Sequence, residues 1–341
     1  MTSMQSTVKN RPELVCPAGS LRALQMAVDA GADAVYLGLR DATNARNFVG
    51  LNFDDGQIRA GVAYAHEHGV NVLMALNTFA GADDTSPWFR AVDRAVELGA
   101  DALIVADTAV MAHARRQHPV MRLHLSVQAS ATTYAAIAFY RERYGIQRAV
   151  LPRVLTLSQV AHVIRNAGVD IEVFGFGSLC VMVEGRCALS SYATGKSPNN
   201  AGVCSPPSAV RWIERAGAVE ARLNDVLIDR YASDEPRAYP TLCKGRFEVN
   251  GVRDYALEEP TSLNTLELLP QLIDAGVKAI KIEGRQRSPS YVAEVTRVWR
   301  AAIDLAVSSN CYAVLPAWSE QLNRWAEGQQ HTLGAYDRPW R

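Results

Sequence analysis

The stretch LGADALIVAD, residues 98–107, ends a helical pattern at a Gly, crosses a few small or polar residues and enters an apolar run. The same signature recurs as AGADAVYLGL (30–39), HGVNVLMALN (68–77), YGIQRAVLPR (144–153), AGVDIEVFGFG (167–177) and AGVKAIKIEGR (275–285). A helix that closes in a left-handed residue favours Gly just past its last turn. The Val-, Ile- and Leu-rich run that follows suits a strand buried on both faces. ELVCPAG (13–19) and RLHLSVQAS (122–130) complete a set of eight strands. Strands alternating with helices predict a parallel sheet, and eight such units favour closure into a TIM-like (β/α)8 barrel over a doubly wound open sheet.

The spacing breaks once. About a hundred residues separate the seventh strand, ending near Gly177, from the eighth, starting near Ala279. An ordinary connection is far shorter. The expected organisation is residues 1–12 as a flexible N-terminus, 13–316 as the barrel with an insertion at 178–276, and 317–341 as a C-terminal tail or cap. The insertion leaves from the C-terminal ends of the strands, where barrel enzymes place their chemistry. Short strands are expected in it around VRWIER, NDVLIDR and RFEVNGVRDY.

The chain has 341 residues, 48% of them hydrophobic, with 35 Lys plus Arg against 35 Asp plus Glu. A formal net charge of zero argues against a dedicated nucleic-acid binder, though not against a local basic patch. The N-terminal residues show no apolar leader and no run is long enough to span a membrane, so a cytoplasmic protein is expected. In that compartment the six cysteines read as buried, metal-bound or reactive rather than as a disulfide framework. Four lie at the start of or within the insertion, Cys180, Cys187, Cys204 and Cys243, with gaps of six, sixteen and thirty-eight residues. Cys16 and Cys311 stand alone. Four thiolates suit either tetrahedral zinc or an iron–sulfur cube, and four small buried side chains are the bland alternative. Zinc sites usually pair their ligands at two-to-four-residue spacing, so wide, uneven gaps are easier to reconcile with a cluster.

Barrel geometry directs the search for polar site residues to the C-terminal ends of the strands and the loops beyond them. Arg46, Asn77, Gln128, Arg153, Glu283 and Arg285 are the substrate-binding candidates, because converging arginines would grip a dicarboxylate. His124 alternates with Leu123 and Leu125 and could point into the barrel, although a lone strand His is more often a core residue. Glu172 and Glu184, on either side of Cys180, could move protons or simply orient the loop. GFGSLC lacks the last Gly of a dinucleotide-binding turn, so no nucleotide cofactor is expected.

EVFGFGSLCVMVEGRCALSS (172–191) resembles the signature of the collagenase-like peptidase family. LVCPAGS, NARNFVGLNF, SVQASAT, VLPRVL, YPTLCKGR, ALEEPTSLNTLELLP and KIEGRQRSP are similar, in order and spacing, to its oxygen-independent ubiquinone-biosynthesis branch, over nearly the whole chain. That resemblance implies a [4Fe–4S] cluster on Cys180, Cys187, Cys204 and Cys243. It further implies a heterodimer with a shorter, UbiV-like homologue and hydroxylation of a prenylated aromatic ubiquinone precursor, with prephenate as oxygen donor. The alternatives are RNA-base hydroxylation, for which relatives are longer, and peptide hydrolysis. Against hydrolysis, the sequence shows no HExxH and no Ser–His–Asp arrangement, and a cluster-bound Cys is no free nucleophile.

Overall fold

A computed structural model of the chain describes residues 11–215 and 217–338. Its centre is a closed ring of eight parallel strands. Seven run in chain order: β1 (Glu13–Pro17), β2 (Ala34–Gly38), β3 (Asn71–Leu76), β4 (Ala102–Val105), β5 (Arg122–Leu125), β6 (Arg148–Val150) and β7 (Asp170–Ser178). The insertion then supplies an antiparallel sheet of β8 (Val210–Arg215), β9 (Ala218–Leu223) and β10 (Val226–Ala232), and a hairpin of β11 (Arg246–Val249) and β12 (Val252–Tyr255). After β13 (Ser262–Asn264), β14 (Ala279–Ile282) closes the ring, parallel to both β7 and β1. The fold is the expected (β/α)8 barrel, and all eight quoted strands are its staves.

The local reasons are those in the sequence. The helix 157–167 starts with a reciprocal capping box between Thr156 and Gln159. It ends on Gly168, whose φ of 65° an L side chain would resist. Gly31, Gly69, Gly99, Gly145 and Gly276 repeat that stop at positive φ.

The barrel interior is chemically split. Val15, Ala34, Tyr36, Leu73, Ala102, Ile104 and Ala279 form an apolar cluster on one side. Barrels of this kind normally fill the whole interior with such residues. Here the inward positions of β5, β6, β7 and β14 instead carry His124, Arg148, Glu172 and Lys281, all buried. Arg148 donates to both oxygens of Glu13 at 2.9 Å, near the N-terminal end of the barrel.

Between β7 and β13 the chain forms a lobe over the C-terminal mouth, with a small core of its own at Ala193, Leu223 and Ile228. The expected insertion range, 178–276, also contains β13 and the helix Leu269–Ala275, which belong to the barrel's own layers. β13 lies antiparallel against the end of β7. Outside it, parallel to β13, runs β15 (His331–Thr332), contributed by the tail. The tail is therefore built onto the barrel as far as residue 338; its last three residues and residues 1–10 of the N-terminus lie outside the described part. Arg11 is described and pairs with Asp33 at 2.5 Å. Among the described residues no helix is long and apolar enough to cross a membrane.

Candidate functional site

The end of β7 leads directly into the first cysteine loop, 180–187, which is stitched to the turn after β5. Ser130 Oγ donates to the Glu184 carbonyl at 2.6 Å, and Arg186 donates to the Ser130 carbonyl at 3.2 Å. Gly185 makes the approach possible: its φ is +87°, and a Cβ there would stand 1.8 Å from the Gln128 carbonyl oxygen. Cys204 follows the one-turn helix 198–201 and Gly202, whose carbonyl accepts from the Arg46 N–H at 2.9 Å. Cys243 sits on the short turn 242–244, and its stretch is tied to that of Cys204 through Ser205 Oγ donating to the Pro240 carbonyl at 2.5 Å.

These ties bring the four cysteines into one neighbourhood. All four are free thiols. Burial pushes the Cys180 thiol up, and pushes Cys243 up to about 11. Cys187 is also raised, again chiefly by burial, and the charge of Cys204 adds to the rise in all three. The backbone amides of Met182, Leu189 and Ser190 partly offset the rise at Cys180 and Cys187. Among the described residues no three His, Cys, Asp or Glu side chains stand close enough to hold a single metal ion. A tetrahedral zinc needs four sulfurs about 2.3 Å from one point. Cys16 is buried in β1, where it accepts from Thr296, and Cys311 is exposed; both lie away from this set.

Beneath the cysteine loop the mouth of the barrel holds a cavity of about 120 Å³. Arg46, Asn77, Gln128, Arg153, Glu184, Glu283 and Arg285 all line it, so these expected residues converge. Most face one another, however. Glu283 accepts from Arg46 at 2.9 Å and from Arg153 at 2.8 Å. Arg153 also donates to Glu184 at 2.6 Å, and its guanidinium lies 3.6 Å from the centre of the Phe174 ring. Burial raises the Glu283 carboxyl, but Arg153 and Arg46 overcome it and hold the group down to about 2. Burial dominates at Glu184 and raises it despite Arg153. Arg285 donates to Asn44 Oδ1 at 2.9 Å and to the Ala45 carbonyl, which fixes the loop after β2. Burial lowers its guanidinium to about 10. Asn77 accepts from the Ala45 N–H at 3.0 Å and donates to Ser126 at 3.2 Å.

Two expected candidates are elsewhere. Glu172 and His124 lie deeper in the barrel and do not line the cavity. Glu172 binds Lys281 at 2.7 Å. Neither His124 ring nitrogen has a hydrogen-bond partner, and burial with Arg148, Arg122 and Lys281 nearby keeps the ring neutral. Conversely, Lys281 and Tyr36 form part of the cavity lining and were not among the sequence candidates. An inward Lys in the apolar run AIKI, two residues before Glu283, was the signal available.

Comparison with known proteins places this geometry. Residues 19–337 match the description "Peptidase family U32". The chain is 30% identical over 328 residues to tRNA hydroxylation protein P1 of Bacillus subtilis, covering 94% of this chain and 69% of that one. It is 32% identical to tRNA hydroxylation protein P of Escherichia coli, over 87% of this chain and 69% of the relative. An uncharacterized protease of Methanocaldococcus jannaschii is also 32% identical, over 96% of this chain and 73% of its own length.

Proposed function

Because the chain belongs to peptidase family U32, we propose that it is the iron–sulfur subunit of an oxygen-independent hydroxylase, of the UbiU type. It would act with a UbiV-like homologous subunit on the aromatic ring of prenylated ubiquinone precursors, with prephenate as the oxygen donor. The observation that carries this reading is the set of four neighbouring cysteines, Cys180, Cys187, Cys204 and Cys243, on loops tied to the wall of the barrel-mouth cavity. A [4Fe–4S] cluster held there supplies one-electron transfer at the lip of the cavity. The chain's own residues do the rest. Arg153 and Glu184 hold the cysteine loop against the barrel wall, and Glu283 orients Arg46 and Arg153. The hydroxylation names of two relatives support a hydroxylase over a peptidase.

The same names support a second reading, hydroxylation of an RNA base. One feature of the lobe favours it. Arg211, Arg215, Arg222 and Arg230 share one face of the β8–β9–β10 sheet, with Glu220 as the acid among them, although the whole chain is neutral. Such a face suits phosphates.

Anaerobic purification with the partner, followed by iron and acid-labile sulfide analysis and product assay, separates the readings. About four irons and four sulfides per chain, with hydroxylated quinone precursor formed, support the first. Hydroxylated RNA formed instead, with binding that falls steeply as salt rises, supports the second. Zinc, or freely titratable thiols with no metal, would refute the cluster in both.

A further inference from the structure

We propose that the floor of the barrel-mouth cavity is a ring-binding site in which Lys281, backed by Glu172, takes an anionic oxygen on a planar substrate ring while Gln128 accepts a proton donor from the ring. This rests on the hydroxylase reading and adds the residues that would hold the reacting ring, which must carry an ionisable oxygen and a second, donating group.

The cavity contains several cations, but the arginines are occupied. Arg46 is spent on Glu283, Arg153 on Glu283 and Glu184, and Arg285 on Asn44 and the Ala45 carbonyl. The exception among the lining arginines is Arg287, which is 39% exposed and pairs only with Glu327, at 3.6 Å. Lys281 differs. An ammonium carries three donors, and this one has a single hydrogen-bond acceptor, Glu172 Oε1 at 2.7 Å. Its nitrogen lies 4.0 Å from the centre of the Tyr36 ring, and the side chain lines the cavity. Tyr36 is itself fixed, its hydroxyl donating to the Ile282 carbonyl at 2.9 Å. Glu172 is fully buried, and its second oxygen has no hydrogen-bond partner. The pair is thus a rigid, desolvated charge pair whose cationic end faces the substrate space.

The walls say what the cation meets. Tyr36, Ile104, Val150 and Phe174 present apolar or flat surface, which suits a ring face. The Gln128 Oε1 atom is buried and has no donor. A volume of 120 Å³ has room for on the order of ten water-sized positions, enough for a single ring but not for a long tail. Donor at the floor, acceptor on the wall and flat sides together select a ring bearing both an oxygen anion and a hydrogen-bond donor. In this step the ring loses its proton to water and no bond to carbon changes. The resulting oxyanion raises electron density at the neighbouring ring carbons, where a phenol is hydroxylated.

The test uses the full chain and 4-nitrophenol, whose phenolate absorbs visible light and whose ionisation lies near neutrality. An opposite charge this close lowers an acid's ionisation by about one to three pH units, so the bound probe should turn yellow at correspondingly lower pH than the free probe. Lys281→Met should abolish the shift. Because it leaves Glu172 buried without its partner, the double variant Lys281→Met, Glu172→Gln is measured beside it as the better-folding control. Gln128→Leu should weaken binding of 4-nitrocatechol, whose monoanion keeps one O–H to donate, with the shift retained, and leave 4-nitrophenol binding unchanged. Uridine and cytidine, competed against the probe, distinguish the source: displacement by nucleosides alone assigns a base ring, displacement by 4-hydroxybenzoate alone a phenol. An unshifted bound probe, a shift that survives in the double variant, or no binding would overturn the proposal. Iron content measured on the same samples shows whether the cluster reading stands or falls separately.

Discussion

Replacing Gly185 with Ala tests how the cysteine loop is held. Gly185 stands at φ +87°, where an L residue costs about 1–2 kcal/mol. Its new methyl would be 1.8 Å from the Gln128 carbonyl oxygen and 2.6 Å from Ser130 Oγ. Both are far inside van der Waals contact, and the first neighbour is backbone, so the loop must retreat by more than about 1 Å; overpacking of this kind adds about 1–3 kcal/mol. The expected total is about 2–5 kcal/mol, and the retreat pulls on the Ser130–Glu184, Arg186–Ser130 and Arg153–Glu184 contacts together. Cys180 and Cys187 then move relative to Cys204 and Cys243. Iron bound per chain after anaerobic reconstitution should fall several-fold, and the urea midpoint of the metal-free chain should drop. Gly195→Ala is the control: φ is +70°, but nothing lies within 4 Å of the added methyl. That variant should lose only the backbone contribution and keep its iron. If Gly185→Ala binds iron as fully as the control, the loop is not held as argued.

Three further outcomes follow from the same geometry. Cys204→Ala should remove most of the iron, because Cys204 adjoins the other three thiols, whereas Cys311→Ser should leave iron content unchanged. Glu283→Gln should cost about 3 kcal/mol at neutral pH, the value of a carboxyl held down from 4.5 to about 2. A depressed folded-state value stabilises above the unfolded one, so the difference from wild type should be full above pH 4.5 and shrink as pH falls toward 2; a pH-independent difference in urea unfolding would contradict it. Arg148→Met should lose about 3–5 kcal/mol, since it strands the buried Glu172 carboxylate beside Lys281 alone and frees Glu13.

Six of the eight staves were legible because each follows a Gly stop and enters an apolar run, a pattern strong enough to survive without tertiary help; β1 and β5 lack the stop and were read from their apolar runs and their place in the repeat. β13 and β15 were not. They span three and two residues, and exist only because β7 continues past the ring and leaves an edge for β13 to pair with. β9 was also missed: AVEARL carries Glu220 and Arg222 within it, and its alternation becomes decisive only between β8 and β10. The site shows the same division. The cysteine spacing and the mouth residues could be read from strand ends. Depth could not: Glu172 is the third residue of β7, and at about 3.3 Å per residue it sits well below the mouth that Ser178 reaches. Nor could sequence show that Arg46 is occupied by Glu283, a partner 237 positions away.

That distribution of charge bears on how the lobe and barrel hold together. A barrel interior with Arg148, Glu172 and Lys281 in it is tolerable only if each charge is paired, since an unpaired buried ion costs several kcal/mol. The pairs form a sequence running from Glu13 through Arg148 and Glu172 to Lys281. Two residues on along β14, Glu283 begins a second sequence, through Arg153 to Glu184 in the cysteine loop. The lobe's own hydrophobic core is small. The loop bearing Cys180 and Cys187 is therefore positioned chiefly by charge-assisted hydrogen bonds to the barrel wall rather than by packing within the lobe. Such bonds are directional and short, as the proposed cluster would require of the loop that carries two of its sulfurs. They also tie the cysteines to the residues that line the cavity: whatever disturbs Glu283 or Arg153 reaches Glu184, and with it the loop between two of the four thiols.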